Sequence, residues 1–489
     1  MSQVEPKVEE TLDPADWEAF RALAHRMLDE AITFQETARQ RPVWQPVPAE
    51  IKTALRQPAP QDPTPLEDVC QEFLQTILPY PAGNVHPRFW GWVIGNGSPT
   101  GLLAEMLAAG INANAGGGEQ ISNYVEQQVI AWCKEMFGFP PEASGLLVSG
   151  GSMANLTGLT VALNAKAGFD VRQEGLVNAP ARPVFYTSVE THSSNRKAIE
   201  LLGLGAGSLR LLPVDAEYRL DVAALESALA RDRQAGLRPI GVIANAGTVN
   251  TGAFDDLNTL ADLCAREDLW LHVDGAFGAM AHLAPELRRL TAGIERADSL
   301  AFDMHKWMYL PYVIGCTLVR SEPDHRRAFT ITPEYLAHTT RGMSAGDHWW
   351  GDYGIELSRS FRALKAWMAI KENGLARFGR LIRQNVEQAQ YLARLVDDSP
   401  VLERIAPAPL NIVCFRYLAP DRSPEDLNRL NQEMLLRLHE SGKALVSYTT
   451  LNGKYALRAA VTNHRSRRAD FDLLVDEVVR LGREILAEM

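Results

Sequence analysis

Two stretches, His272-Val-Asp-Gly-Ala-Phe277 and Phe302-Asp-Met-His-Lys-Trp307, carry the fold of this chain. The first ends the apolar run Leu269-Trp-Leu-His-Val with the carboxylate of Asp274. The second ends the run Ser299-Leu-Ala-Phe with His305 and Lys306. In a parallel sheet the carboxyl ends of the strands share one edge, and ligands collect there. An aspartate and a lysine so placed, about thirty residues apart, suit pyridoxal 5′-phosphate (PLP). Lysine gives a Schiff base to the aldehyde, and aspartate holds the pyridine nitrogen protonated so that the ring accepts electrons.

Outward from these stretches the same pattern repeats. Short apolar runs at Gly145-Leu-Leu-Val-Ser, Pro183-Val-Phe-Tyr-Thr and Pro239-Ile-Gly-Val-Ile-Ala alternate with helical stretches near 155–168, 193–203, 221–235 and 256–267. Unbroken apolar strands alternating with helices predict an α/β fold, a mostly parallel sheet covered on both faces. A long helical stretch near 358–398 then leads to Leu410-Asn-Ile-Val-Cys-Phe, a helix at 424–441, a hairpin-like Ala444–Val461 turning at Asn452-Gly453, and a closing helix at 470–487. Upstream, Trp17, Phe20, Ala24, Met27, Ala31 and Phe34 recur at helical spacing, with Asp13 as the expected N-cap and Pro14 at the first helical position. A Pro-rich stretch follows, and a lone helix on such an arm cannot bury its own apolar face. It is expected to pack on a neighbouring subunit or on the main body. The chain therefore divides into a helical arm (1–99), a large cofactor domain (100–380) and a small α+β C-terminal domain (381–489).

Bulk properties narrow the class without naming it. At 489 residues the chain can bury a large core. A net charge of −11 with no basic tract argues against a nucleic-acid partner. No apolar run approaches the roughly 18 residues of a membrane span. The polar, acidic Met1-Ser-Gln-Val-Glu-Pro is no signal peptide. Five cysteines are scattered without metal-type spacing and read as reduced thiols, so a cytoplasmic protein with no metal site is expected.

Further residues carry chemistry. Ser149-Gly-Gly-Ser-Met-Ala-Asn155 follows a strand and opens a helix, where glycines let the backbone approach an anion and the helix N-terminus offers free N–H groups. Taken alone it is more often an ordinary turn. Asp274 alone is equally a strand-end cap. Lys306 alone would be a surface cation, but it sits between His305 and Trp307, where burial disfavours the ammonium form and frees the amine that attacks an aldehyde. His192, at another strand-to-helix junction, is either a helix cap or an imidazole stacked on a cofactor ring.

His272-Val-Asp-Gly-Ala together with Asp298-Ser and Met304-His-Lys-Trp resembles the signature of the group II PLP-dependent amino-acid decarboxylases, especially the branch acting on aromatic L-amino acids. The likeness runs from the N-terminal helix to Leu457-Arg-Ala-Ala-Val. It implies the fold type I of PLP enzymes, with a seven-stranded type of sheet, and a homodimer whose N-terminal arms are swapped. By this resemblance Lys306 matches the Schiff-base lysine, Asp274 the pyridinium partner, Ala276 the small residue under the ring and His192 the stacked histidine. Gly151, Ser152, Thr248 and His305 match positions around the phosphate. Pro333-Glu-Tyr-Leu336 resembles the Pro-x-Tyr-Leu of a catalytic loop, and Tyr335 then matches the acid that protonates Cα after carbon dioxide leaves.

Two departures concern the substrate. The aromatic pocket run of the family reads here Trp92-Val93-Ile94-Gly95, after His86-Pro-Arg-Phe-Trp90, and Trp90 and Trp92 offer packing surfaces. The segment that supplies an aromatic wall from the other subunit reads Asn112-Ala-Asn114-Ala-Gly-Gly-Gly118, small and polar. His348-Trp349-Trp350 either lines a pocket or packs the loop. The expected function is PLP-dependent decarboxylation of an L-amino acid, aromatic by resemblance, to its amine and carbon dioxide. The alternatives are a non-aromatic substrate, an oxygen-dependent aldehyde synthase, an aminotransferase and a non-catalytic PLP-binding protein.

Overall fold

The structure, a computed structural model, describes residues 10–331, 340–346 and 348–489. Its strands are β1 (Phe89–Trp90), β2 (Ser144–Val148), β3 (Pro183–Ser188), β4 (Leu209–Leu212), β5 (Arg238–Asn245) and β6 (Trp270–Asp274). They continue with β7 (Ser299–Asp303), β8 (Gly315–Val319), β9 (Leu402–Arg404), β10 (Ile412–Tyr417), β11 (Leu445–Leu451) and β12 (Lys454–Ala460).

Seven strands form one sheet in the order β2-β8-β7-β6-β5-β3-β4. Only β8 runs antiparallel to its neighbours, as the apolar runs predicted for a mostly parallel sheet. Side chains alternate between two cores, because successive strand residues point to opposite faces. Val184, Tyr186, Val242, Ala244, Leu271 and Val273 pack with the helices Ile121–Phe137, Val222–Gln234 and Leu257–Arg266. Phe185, Ile243 and Trp270 pack with Gly151–Lys166 and Ser193–Leu201. Apolar residues at every strand position follow from burial on both faces.

This topology brings distant residues to one edge. The strand ends Val148, Ser188, Asn245, Asp274 and Asp303 lie together there, and β8 starts at the same edge, with Gly315 paired to both Val148 and Asp303.

A helix over Ala363–Asp397, interrupted at Gly374 (φ 65°), runs from this body across residue 380 into a second sheet of order β1-β11-β12-β10-β9. β1 enters that sheet from far upstream, parallel to β11. Trp90 is therefore fully buried, its ring stacked 4.6 Å from Phe471 and its Nε1 donating to Ser466 Oγ at 3.0 Å. The expected role of Trp90 as a pocket surface is thus corrected: burial in the C-terminal core outweighs exposure to a ligand.

The first helix spans Trp17–Glu36 and is capped by Asp16, whose carboxylate accepts the N–H groups of Glu18 and Ala19 at 2.9 and 3.0 Å. Asp13 instead bonds Thr11, so the expected cap lies three residues too early. Leu23 alone of this helix is buried, while Trp17, Phe20 and Ile32 stay exposed. Among the described residues no helix is long and apolar enough to cross a membrane.

Candidate active site

Asp274 closes β6 and is buried. Its Oδ2 accepts the side-chain amides of Asn155 (2.9 Å) and Asn195 (2.8 Å), and its Oδ1 accepts the Ala276 N–H (3.2 Å). All three donors are neutral, so the carboxylate is fixed in place without its charge being cancelled. A second layer orients the first. Because Asn155 turns its amide to a carboxylate, its Oδ1 must accept, and His272 Nε2, 2.9 Å away, carries the proton. His272 Nδ1 then accepts from Ser299 Oγ (2.7 Å), which in turn accepts Trp270 Nε1–H (2.8 Å). Burial pulls the His272 pKa down to about 4, which keeps this chain neutral near pH 7. Asn155 and Asn195 escaped the sequence reading, since each sits one helical turn into a helix and shows no signal until Asp274 is placed between them.

Lys306 lies on the single helical turn Met304–Trp307 that follows β7. Its Nζ is not stranded in an apolar pocket, as expected, but paired with Asp303 Oδ2 at 3.0 Å. His305 Nε2 stands 3.8 Å from the same oxygen. Glycines make the close packing around Asp303 feasible. A Cβ on Gly151 would lie 2.8 Å from Oδ2, and one on Gly315 would lie 2.7 Å from Oδ1. The helix Gly151–Lys166 starts at this point with Gly150 at its N-cap and no side-chain cap. Its first N–H groups are thus free to hold an anion, with the dipole favouring negative charge, and Ser152 is exposed beside them. Gly151 and Ser152 form the first turn of this helix.

His305 packs its ring 4.3 Å from Tyr312 and bonds the Ile314 carbonyl through Nδ1 at 2.8 Å. Burial lowers its pKa, against the pull of Asp303. His192 does cap a helix: its Nδ1 accepts the Ser194 N–H at 3.2 Å. The same ring lies within electrostatic reach of Asp274, Lys306 and Asp303, and burial is the largest influence lowering its pKa. The capping and functional readings are therefore compatible. Thr248 is buried in the turn after β5, where its hydroxyl accepts the Ala253 N–H at 3.1 Å and meets Thr251 Oγ1 at 3.0 Å. That hydroxyl is engaged in its own turn. Among the described residues no cluster of metal-ligating side chains occurs.

The run Trp92–Gly95 divides. Gly95 lies against the lysine turn, where a Cβ would come 1.6 Å from the His305 carbonyl oxygen and 2.9 Å from that of Lys306. Its N–H donates to Tyr312 Oη at 3.1 Å. Trp92 is 55% exposed, and Val93 belongs to the large core. The Ile94 carbonyl accepts Thr462 Oγ1 at 3.2 Å. Arg458, buried, ties this run to the turn after β5 by donating to the carbonyls of Trp92 (2.9 Å), Asn250 (3.1 Å) and Val249. Tyr312, which the sequence did not mark, joins Gly95 to the His305 ring. Burial raises its pKa to about 12, so the phenol stays protonated. Gly95→Ala is expected to displace the lysine turn at a cost of about 1–3 kcal/mol of overpacking. Titration of the variant with PLP should then show roughly ten- to hundred-fold weaker affinity.

Asn114 is placed elsewhere. Its Oδ1 accepts the Arg359 N–H at 2.9 Å, and it lines a cavity of about 260 Å³ with Gly116, Gly117, Ile331, Met343 and Trp349. Neither Lys306 nor Asp274 lines that cavity, so within one chain Asn114 and the lysine are not brought together. The cavity also accounts for two odd features of the sequence. A Cβ on Gly117 would lie 2.2 Å from the Trp349 ring, and one on Gly116 or Gly118 would lie 2.4 Å from the Leu357 or Met343 carbonyl oxygen, so each glycine of the triplet is closely covered. His348 stacks on Tyr353 at 4.6 Å and Trp350 is fully buried. Trp349 thus lines the cavity, while His348 and Trp350 pack against Tyr353 and the core. Tyr335 lies outside the described residues.

The arrangement suits a phosphorylated aldehyde with a basic ring nitrogen, since an amine, a fixed carboxylate and an open helix N-terminus share one sheet edge. Comparisons with known proteins point the same way. The pyridoxal-dependent decarboxylase conserved domain matches residues 48–418. The chain is 35% identical to an aromatic-L-amino-acid decarboxylase of Bacillus atrophaeus, over 96% of each protein. It is 30% identical to a phenylacetaldehyde synthase of Arabidopsis thaliana, over 92% of this chain and 93% of that protein. The crystal structure of Oryza sativa TDC with PLP and tryptamine superposes with a TM-score of 0.89 and 27% identity, over 97% of this chain and 100% of that one.

Proposed function

This chain belongs to the pyridoxal-dependent decarboxylase family, and from that premise we propose that its substrate is an aromatic L-amino acid, released as the amine and carbon dioxide. The observation that carries the reading is the meeting of Asp274, Lys306 and the open Gly150–Ser152 turn at one sheet edge. Bound PLP supplies an electron sink for the pair of electrons left when carbon dioxide departs. The chain's own residues do the rest. Lys306 offers Nζ to the aldehyde, and Asp274, held by two amides, keeps the ring nitrogen protonated. Gly151, Ser152 and His305 would hold the phosphate, with Thr248 in the adjoining turn. Ala276 and His192 would contact the ring. Tyr335 returns a proton to Cα.

An aromatic substrate is supported by the Bacillus atrophaeus relative, and the exposed Trp92 and half-exposed Tyr312, which meets Gly95, offer aromatic surface. A screen of the common L-amino acids for carbon dioxide and amine release tests this. Release confined to aliphatic or polar substrates refutes the aromatic assignment. The Arabidopsis thaliana relative favours one second reading, an oxygen-dependent aldehyde synthase. Aldehyde and hydrogen peroxide in place of amine would establish it.

The same proposal makes the enzyme a homodimer. The exposed Trp17, Phe20 and Ile32 of the first helix, and the separation of Asn114 from Lys306, are what a swapped 1–99 arm and a shared wall would leave in a single chain. Residues 100–380 then form the cofactor domain and 381–489 the small domain. All five cysteines are free, which supports a reducing, cytoplasmic setting.

A further inference from the structure

Two carboxylates end neighbouring strands at this site, and they are wired differently. Asp274 is saturated by amide donors. Asp303 is just as buried, but among the described residues its Oδ1 has no hydrogen-bond partner, and its Oδ2 meets Lys306 Nζ at 3.0 Å. Its backbone is pinned by donation of its N–H to the Ala276 carbonyl at 2.9 Å. Gly151 and Gly315 close over its oxygens so tightly that either Cβ would come within 2.8 Å. The carboxylate is thus held rigidly against the amine with no amide donor competing for Oδ2. Near it, His305 Nε2 is farther from the same oxygen, at 3.8 Å.

We infer that Asp303 is the proton acceptor for Lys306 when the lysine joins the cofactor aldehyde. The inference rests on Lys306 being the point of attachment. In the ion pair Nζ carries three protons and has no lone pair to attack with. As the carbon–nitrogen double bond forms, the aldehyde carbon–oxygen bond breaks and its oxygen leaves as water with two of those protons. The third passes to Asp303 Oδ2, and nothing is oxidised or reduced. When a substrate amine later displaces the lysine, Asp303 returns the proton to Nζ. A group that accepts a proton at the reacting nitrogen contributes roughly 10²–10⁴-fold to such a step.

The test follows covalent attachment in protein stripped of cofactor, read as growth of the visible absorption band after mixing with PLP. Asp303→Asn keeps the shape and removes the acceptor. Its attachment rate should fall by roughly 10²–10⁴-fold while the final band reaches full height. Pyridoxine 5′-phosphate, which has the phosphate and ring but no aldehyde, should bind the variant within about twofold of the parent protein, since the cup is untouched. An unchanged attachment rate overturns the inference. So does an equal weakening of pyridoxine 5′-phosphate, which would make Asp303 a wall of the cup. Asp303→Ala with added formate supplies a second arm: attachment should recover with formate concentration, and no recovery refutes the proton role. Failure of the underlying reading looks different, because Lys306→Ala would then keep the full band.

Discussion

Lys306→Ala is expected to abolish the visible band of lysine-bound PLP and to reduce amine formation by roughly 10⁴-fold or more, as loss of a covalent nucleophile does. Persistence of the band in the variant would show that another group carries the cofactor. The structure adds a consequence that the lysine's chemistry alone does not suggest. Lys306 is the ion-pair partner of the buried Asp303, and removing one member of a buried pair leaves an uncompensated charge at a cost of about 3–5 kcal/mol. Because the Lys306 side chain keeps about a fifth of its surface exposed (21%), the effect should fall at the lower end. Melting temperatures of cofactor-free protein measure it. Combining Lys306→Ala with Asp303→Asn removes the stranded charge, so the double variant should regain much of the stability and none of the absorbance. Equal stability of single and double variants would mean that the pair does not hold the cofactor-free fold.

Asp274→Asn is the second large effect, and its signature differs. The lysine remains, so the band should persist, while kcat falls roughly 10²–10³-fold from loss of a preorganised charge beside the ring nitrogen. The network predicts a structural cost as well. Asn155 and Asn195 both donate to Asp274 Oδ2, whose place an asparagine carbonyl can take, but the asparagine amide then faces the Ala276 N–H that donates to Oδ1. One buried donor left unpaired costs about 1–3 kcal/mol. A variant that holds kcat within about twofold of the parent would remove Asp274 from the ring-nitrogen role. Asn195→Ala should reproduce part of the kcat loss, since it loosens the carboxylate without deleting it.

The sheet and its active edge were legible because their signals are local. Residues 144–148, 183–188, 238–245, 270–274 and 299–303 are apolar runs with a change of composition at the carboxyl end, and a parallel sheet buried on both faces needs that pattern. The Gly150–Gly151 turn was visible for the same reason. Asp303 is the instructive omission. It stands inside the Phe302–Trp307 stretch with no signal of its own, since only the turn of Met304–Trp307 brings Nζ back three residues to meet it. Asn155 and Asn195 were illegible because they reach Asp274 from two separate helices. The glycines at 116–118 read in the sequence only as small residues, and the structure shows what covers each of them: the Leu357 carbonyl, the Trp349 ring and the Met343 carbonyl. Trp90 looked like a pocket residue until β1 paired with β11, more than three hundred positions away.

By itself the sequence determined the sheet and the family, and pointed to the two strand-end residues proposed to anchor the cofactor. Periodicity and the chemistry of strand-end residues are properties of neighbours in the chain. Only the tertiary structure decided which carboxylate binds amides and which holds the lysine, because Asp274 and Asp303 are the same residue type at the same kind of strand end. What separates them is the donors that converge on each: two helices deliver asparagine amides to Asp274, and one turn delivers Lys306 to Asp303.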